Sequence, residues 1–141
     1  MRDKFGIIPK AVKWGGQAID CHTFLSDEMI IDVIASVDEC LAKNVRVIIY
    51  NGMLDLIINS AGQDMWIKRL KWQHLEAYYK LAKRVPVYPP SLVKEQRTGA
   101  FHKAYKNFEY YWLMMSGHMV PIDVPEMSLE MVHRIISGEN F

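Results

Sequence analysis

Residues 45–60 read VRVIIYNGMLDLIINS. The first six are short, rich in β-branched side chains and almost continuously apolar. That pattern predicts a strand buried in a parallel sheet, where both faces are covered and polar alternation is lost. Asn51 and Gly52 open a loop that runs to Ser60 and carries Asp55 just past the strand. Upstream, SDEMIIDVIASVDECLAKN (26–44) places Ile30, Val33, Ile34, Val37 and Leu41 at spacings of three and four. This spacing predicts a helix with one apolar face, capped by Ser26 or Asp27, with Cys40 as a buried thiol on that face. Downstream, Ser60 is expected to cap a second helix within AGQDMWIKRL (61–70). The order helix, strand, loop, helix belongs to an α/β layer.

Farther out the signals vary in strength. WGGQA (14–18) reads as a loop, and the chain as irregular to about Phe24. LEAYYKLAKRV (75–85) suits a short helix, and PVYPPS (86–91) is a connector that cannot be a central strand. FHKAYKN (101–107) and FEYYWLMM (108–115) read as two strands around a Lys106–Asn107 turn, with Tyr110, Tyr111 and Trp112 as packing residues. SGHMVPID (116–123) is the loop that follows. PEMSLEMVHRIIS (125–137) predicts a final helix with Pro125 in its first turn, Met127, Met131 and Ile135 on one face, and Gly138 beyond its end.

The 141 residues suit one domain, half of them are hydrophobic, and the net charge is +1 with both signs interspersed. Nothing in that balance favours nucleic acid or an acidic lipid surface as a partner. No apolar run approaches the ~20 residues of a membrane span, and Lys10 and Lys13 interrupt any signal-peptide core. Cys21 and Cys40 are too far apart for a CxxC motif, and no His/Cys cluster has zinc spacing, so neither metal nor cofactor is expected.

Two polar side chains fall just beyond strands, Asp55 after VRVIIYNG and His118 after FEYYWLMMSG. Ligands and catalysis gather at the carboxyl ends of strands in α/β sheets, and the pair matches the last two members of a Ser…Asp…His triad in chain order. On the residues alone, an aspartate after a strand also serves as a turn former, and a loop histidine as a structural or solvated group. His22, His74, His102 and His133 read as surface or capping residues.

VIIYNGMLDLI, GQDMWIKRLKW and YWLMMSGHMVPIDVPEMSLEM together resemble the C-terminal region of serine carboxypeptidases, most closely the retinoid-inducible branch. The resemblance runs through nearly all of residues 1–141 and is least clear from about Tyr78 to Thr98. It implies the last strands of an α/β-hydrolase fold, a mostly parallel sheet with flanking helices, incomplete on its own. It implies Asp55 and His118 as triad members and Met119 as lining for the residue being released. It also implies peptide or protein C-termini as substrates, hydrolysis through an acyl-enzyme, and a lysosomal or secretory location.

One element of the family is missing. None of the seven serines, at 26, 36, 60, 91, 116, 128 and 137, lies in a G-x-S-x-G. The nucleophile, the oxyanion hole and the substrate-carboxylate site are therefore expected on an N-terminal part, in the same or a separate chain. The segment alone is expected to be inactive and to leave a bare apolar sheet edge. The alternative is a non-catalytic interaction fragment descended from such an enzyme.

Overall fold

The computed structural model of the chain describes residues 19–27, 32–95 and 97–138, and divides into a unit of residues 1–32 and one of residues 33–141. In the first unit, Ile19–Leu25 form helix α1. An irregular chain was expected to about Phe24. Instead the segment, which lacks glycine and proline, winds one helix, and the Thr23 hydroxyl donates back to the Ile19 carbonyl at 3.0 Å. The WGGQA loop lies outside the described residues.

The second unit begins with α2 (Ile34–Ala42), later than the sequence pattern suggests. Neither Ser26 nor Asp27 caps it. The Ser26 hydroxyl donates to the Thr23 carbonyl instead, and the residue before α2 is Val33, which makes no side-chain capping bond. Ile30 lies outside the described residues, and Val33 is exposed. Ile34, Val37 and Leu41 form the packed stripe. Cys40 was expected inside but is exposed, because it stands about 100° around the helix from Leu41.

Strand β1 (Val47–Gly52) follows, then α3 (Ser60–Ile67) and α4 (Leu75–Leu81). Asn59, not Ser60, caps α3, its Oδ1 accepting from the Gly62 N–H at 2.8 Å. Strand β2 (Val85–Val87) contains Pro86 and a 3-10 turn spans Pro90–Leu92. Strands β3 (Ala100–Tyr105) and β4 (Phe108–Leu113) form the expected hairpin, with Lys106 at φ 53° in its turn. A single helical turn, α5 (Val120–Asp123), sits where only loop was expected, and α6 (Pro125–Ser137) ends at Gly138 in the left-handed conformation.

The sheet order is β1-β4-β3-β2. β1 runs parallel to β4, with Gly52 opposite Leu113, while β4–β3 and β3–β2 are antiparallel. β4 is buried throughout and its alternation feeds two cores. Phe108, Tyr110 and Trp112 pack with Leu41, Ile67, Leu70, Trp72 and Tyr78 on one face. Tyr111 and Leu113 pack with Val87, Ala100, Val120, Met127 and Met131 on the other.

His102, expected at the surface, is buried. It faces the second core from β3, stacks on Tyr111 at 4.1 Å between ring centroids, and its Nε2 lies 2.9 Å from Glu109 Oε2. Arg46 Nε donates to the other Glu109 oxygen, and Arg46 Nη1 donates to the Ile135 carbonyl at 2.6 Å. A buried carboxylate thus binds two partners, as such a group must to remain ionised inside a core.

Candidate functional site

The parallel pairing of β1 with β4 places the carboxyl ends of both strands side by side. Their loops stay in register beyond the strands. Met53 N–H donates to the Leu113 carbonyl at 2.9 Å, and Leu54 N–H to the Ser116 carbonyl at 2.8 Å. Gly52 permits the approach, since a Cβ there would stand 2.2 Å from the Gly117 carbonyl oxygen. Asn51 ties the loop back, its Nδ2 donating to the Gly52 and Ile58 carbonyls at 3.2 and 2.9 Å.

Asp55 is buried within this frame. Its Oδ1 accepts from the Ile57 and Ile58 N–H groups at 2.8 and 2.9 Å, which is a turn-forming role. Its Oδ2 lies 3.0 Å from His118 Nδ1. The carboxyl is held below the ordinary aspartate range, first by the Ile58 N–H and further by His118 and Ile57, against the opposing effect of burial. An ionised carboxylate can only accept, so Nδ1 carries the hydrogen and neutral His118 keeps Nε2 as its basic nitrogen. The His118 side chain remains 51% exposed. The pair therefore has an oriented, accessible base backed by a buried anion.

Met119, beside the histidine, is exposed. Ser116 is buried and its hydroxyl donates to the Gly117 carbonyl at 3.2 Å. The sequence reading missed three residues that shape the site: Asn51, Gly52 and Asp123. The Asn-Gly pair at the strand end was a signal for the first two. Asp123 follows Gly117 by six positions and accepts its N–H at 2.7 Å. Among the described residues, no group of three or more His, Cys, Asp or Glu is arranged to hold a metal ion, and no helix is long and apolar enough to cross a membrane.

The profile of the family described as serine carboxypeptidase matches residues 1–138. A retinoid-inducible serine carboxypeptidase from Homo sapiens is 38% identical over 139 residues, covering 99% of this chain and 30% of that protein. Serine carboxypeptidase-like 51 from Arabidopsis thaliana is 38% identical over 135 residues, covering 96% of this chain and 28% of that protein. The chain thus spans under a third of the length of these relatives. Among solved structures, Kex1(delta)p, a prohormone-processing carboxypeptidase from Saccharomyces cerevisiae, superposes with a TM-score of 0.65 at 24% identity. That match covers 74% of this chain and 22% of the yeast protein, and shows the α/β-hydrolase fold.

Proposed function

Because the chain belongs to the serine carboxypeptidase family, we propose that it acts as the C-terminal portion of a serine-type carboxypeptidase and supplies Asp55 and His118 to a Ser-Asp-His triad. The observation that carries this reading is the 3.0 Å contact between Asp55 Oδ2 and His118 Nδ1 at the carboxyl ends of adjacent parallel strands. The serine comes from a G-x-S-x-G segment outside these 141 residues. Its hydroxyl adds to the carbonyl carbon of the last peptide bond while His118 Nε2 takes the hydroxyl proton. The C–N bond then breaks, and the same proton passes to the departing amine. Water, deprotonated in turn by Nε2, hydrolyses the acyl-enzyme and regenerates the serine. Asp55 remains ionised throughout, fixing the tautomer and stabilising the imidazolium. Met119, exposed next to the base, lines the pocket for the released C-terminal residue. By family likeness the assembled enzyme works in a lysosomal or secretory compartment.

Two features support a partner segment against this unit. Leu56 and Ile57, in the loop that holds Asp55, are 93% and 74% exposed, and Met53, Leu54 and Ile58 beside them are exposed as well. An apolar loop of this kind at a catalytic edge marks a contact surface. The outer edge of β1 also has no strand against it among the described residues. The same features favour the second reading, a non-catalytic interaction fragment, should no nucleophile-bearing segment pair with the chain.

Co-expression with a segment bearing the G-x-S-x-G of a close relative distinguishes the two. Release of C-terminal residues from peptides is expected from the pair. His118→Ala is expected to abolish it, and Asp55→Asn to lower kcat by about 10⁴-fold. Full activity in the His118→Ala pair sinks the triad assignment. The chain by itself is expected to form no adduct with serine-directed phosphonates.

A further inference from the structure

His118 lies between two buried anchors, Ser116 and Val120, while His118 and Met119 themselves are exposed. Such a pair of exposed residues needs some restraint on the backbone to hold a side chain at one bearing. One residue contributes to that restraint on both sides of the histidine. The N–H of Gly117, immediately before the histidine, donates to Asp123 Oδ2 at 2.7 Å. The carbonyl of Met119, immediately after it, accepts from the Asp123 N–H at 3.1 Å and from the Ile122 N–H at 2.8 Å. Pro121 has no N–H to compete, and its fixed φ presets the turn. Asp123 therefore clasps the backbone on both sides of His118, its carboxylate before and its amide after. Burial of Val120 in the second core fixes the clasp to the fold.

We propose that Asp123 is the positioning residue of His118, its side-chain oxygen holding the Gly117 peptide so that the imidazole keeps its bond to Asp55. The carboxylate suits this task because an N–H bonded to a charged acceptor is stronger than one bonded to a neutral group. The consequence for catalysis rests on the triad reading above, whereas the geometric claim does not.

The test is ¹⁵N NMR of the histidine rings in the full 141-residue chain, at a pH where the imidazole is neutral. In the unmodified chain, His118 is expected as one tautomer, with Nδ1 protonated and Nε2 bare. Asp123→Ala is expected to lose that signature, the two ring shifts moving toward a common average, while strand amides hold their positions. Asp123→Asn keeps an oxygen at the same site and is expected to restore the single tautomer. Three results overturn the proposal: an unchanged tautomer in Asp123→Ala, a loss in Asp123→Asn as complete as in Asp123→Ala, or no tautomer preference in the unmodified chain. If Asp123→Ala does not fold, the Gly117 amide decides. Protection from hydrogen exchange in both the unmodified chain and Asp123→Asn supports the clasp, and exposure in either overturns it. Activity of the assembled enzyme is a separate matter. Retained activity in His118→Ala removes the triad reading and leaves the NMR outcome standing.

Discussion

Gly52 decides whether the aspartate loop and the histidine loop can touch. A methyl group at this position would meet two backbone oxygens, Gly117 O at 2.2 Å and Ser116 O at 2.5 Å, and neither can rotate aside as a side-chain end would. Gly52→Ala is expected to push the loops apart at an overpacking cost of about 1–3 kcal/mol, read by urea denaturation, with the fixed His118 tautomer lost. Asp55 sets a pH dependence of definite sign. Its carboxyl titrates lower in the fold than in the unfolded chain, foremost because of the Ile58 N–H. Its contribution to stability is therefore complete above the unfolded value of about 3.9 and disappears as pH falls through the lower folded one. The amide shifts of Ile57 and Ile58 are expected to hold steady down to about pH 4 and to move only below it, in a straightforward NMR titration. Asp55 and His118 were legible as a pair because each lies in the loop that follows an apolar strand. The work of Gly52 and Asp123 was not, because what they meet is backbone: Gly52 faces carbonyls more than sixty positions away, and Asp123 binds an amide in a turn that no local pattern announced.

The elements most easily read were those with strong periodicity and clear punctuation: β1, the β3–β4 hairpin and α6. The start of α2 was misplaced because a three-and-four spacing of apolar residues continues upstream of the point where the helix forms. His102 was misread for a different reason. Nothing in FHKAYKN signals that its histidine faces inward, because the carboxylate that accommodates it is on the neighbouring strand. That carboxylate, Glu109, is the second residue of the buried inner strand β4. Burial pushes its pKa up, but the hydrogen bonds from His102 and then Arg46 outweigh this and hold the carboxyl below the usual glutamate range. Glu109→Ala leaves an arginine and a histidine without their shared anion and is expected to cost about 3–5 kcal/mol, measurable by thermal or urea unfolding. The stabilisation from Glu109 is likewise present above its unfolded pKa and lost as pH falls through the depressed one. At the same end of β4, Lys106 in the hairpin turn holds φ at 53°, a left-handed conformation that disfavours a side chain. Lys106→Gly is expected to stabilise the hairpin by about 1 kcal/mol in the same assay.

Across the molecule, the two edges of the sheet differ. β2 is three residues long with Pro86 at its centre, so that edge offers few donors to a further strand. β1 is six residues long, and a loop from Met53 to Ile58 continues from it, exposed at every residue but Asp55. Among the described residues, the longer edge without a neighbouring strand is the β1 side. The 141-residue chain is expected to self-associate as its concentration rises, seen as a growing weight-average mass in sedimentation, and a segment carrying the G-x-S-x-G is expected to suppress this. The parallel β1–β4 pairing also carries a meaning in time. The β3–β4 hairpin closes through a turn of two residues and can form quickly, whereas Asp55 and His118 are 63 positions apart and meet only once β1 has docked. The contact between them is thus among the slow events of folding. A nascent or partly folded chain carries both residues without their partnership, so the imidazole gains its buried anion only once the structure around it is finished.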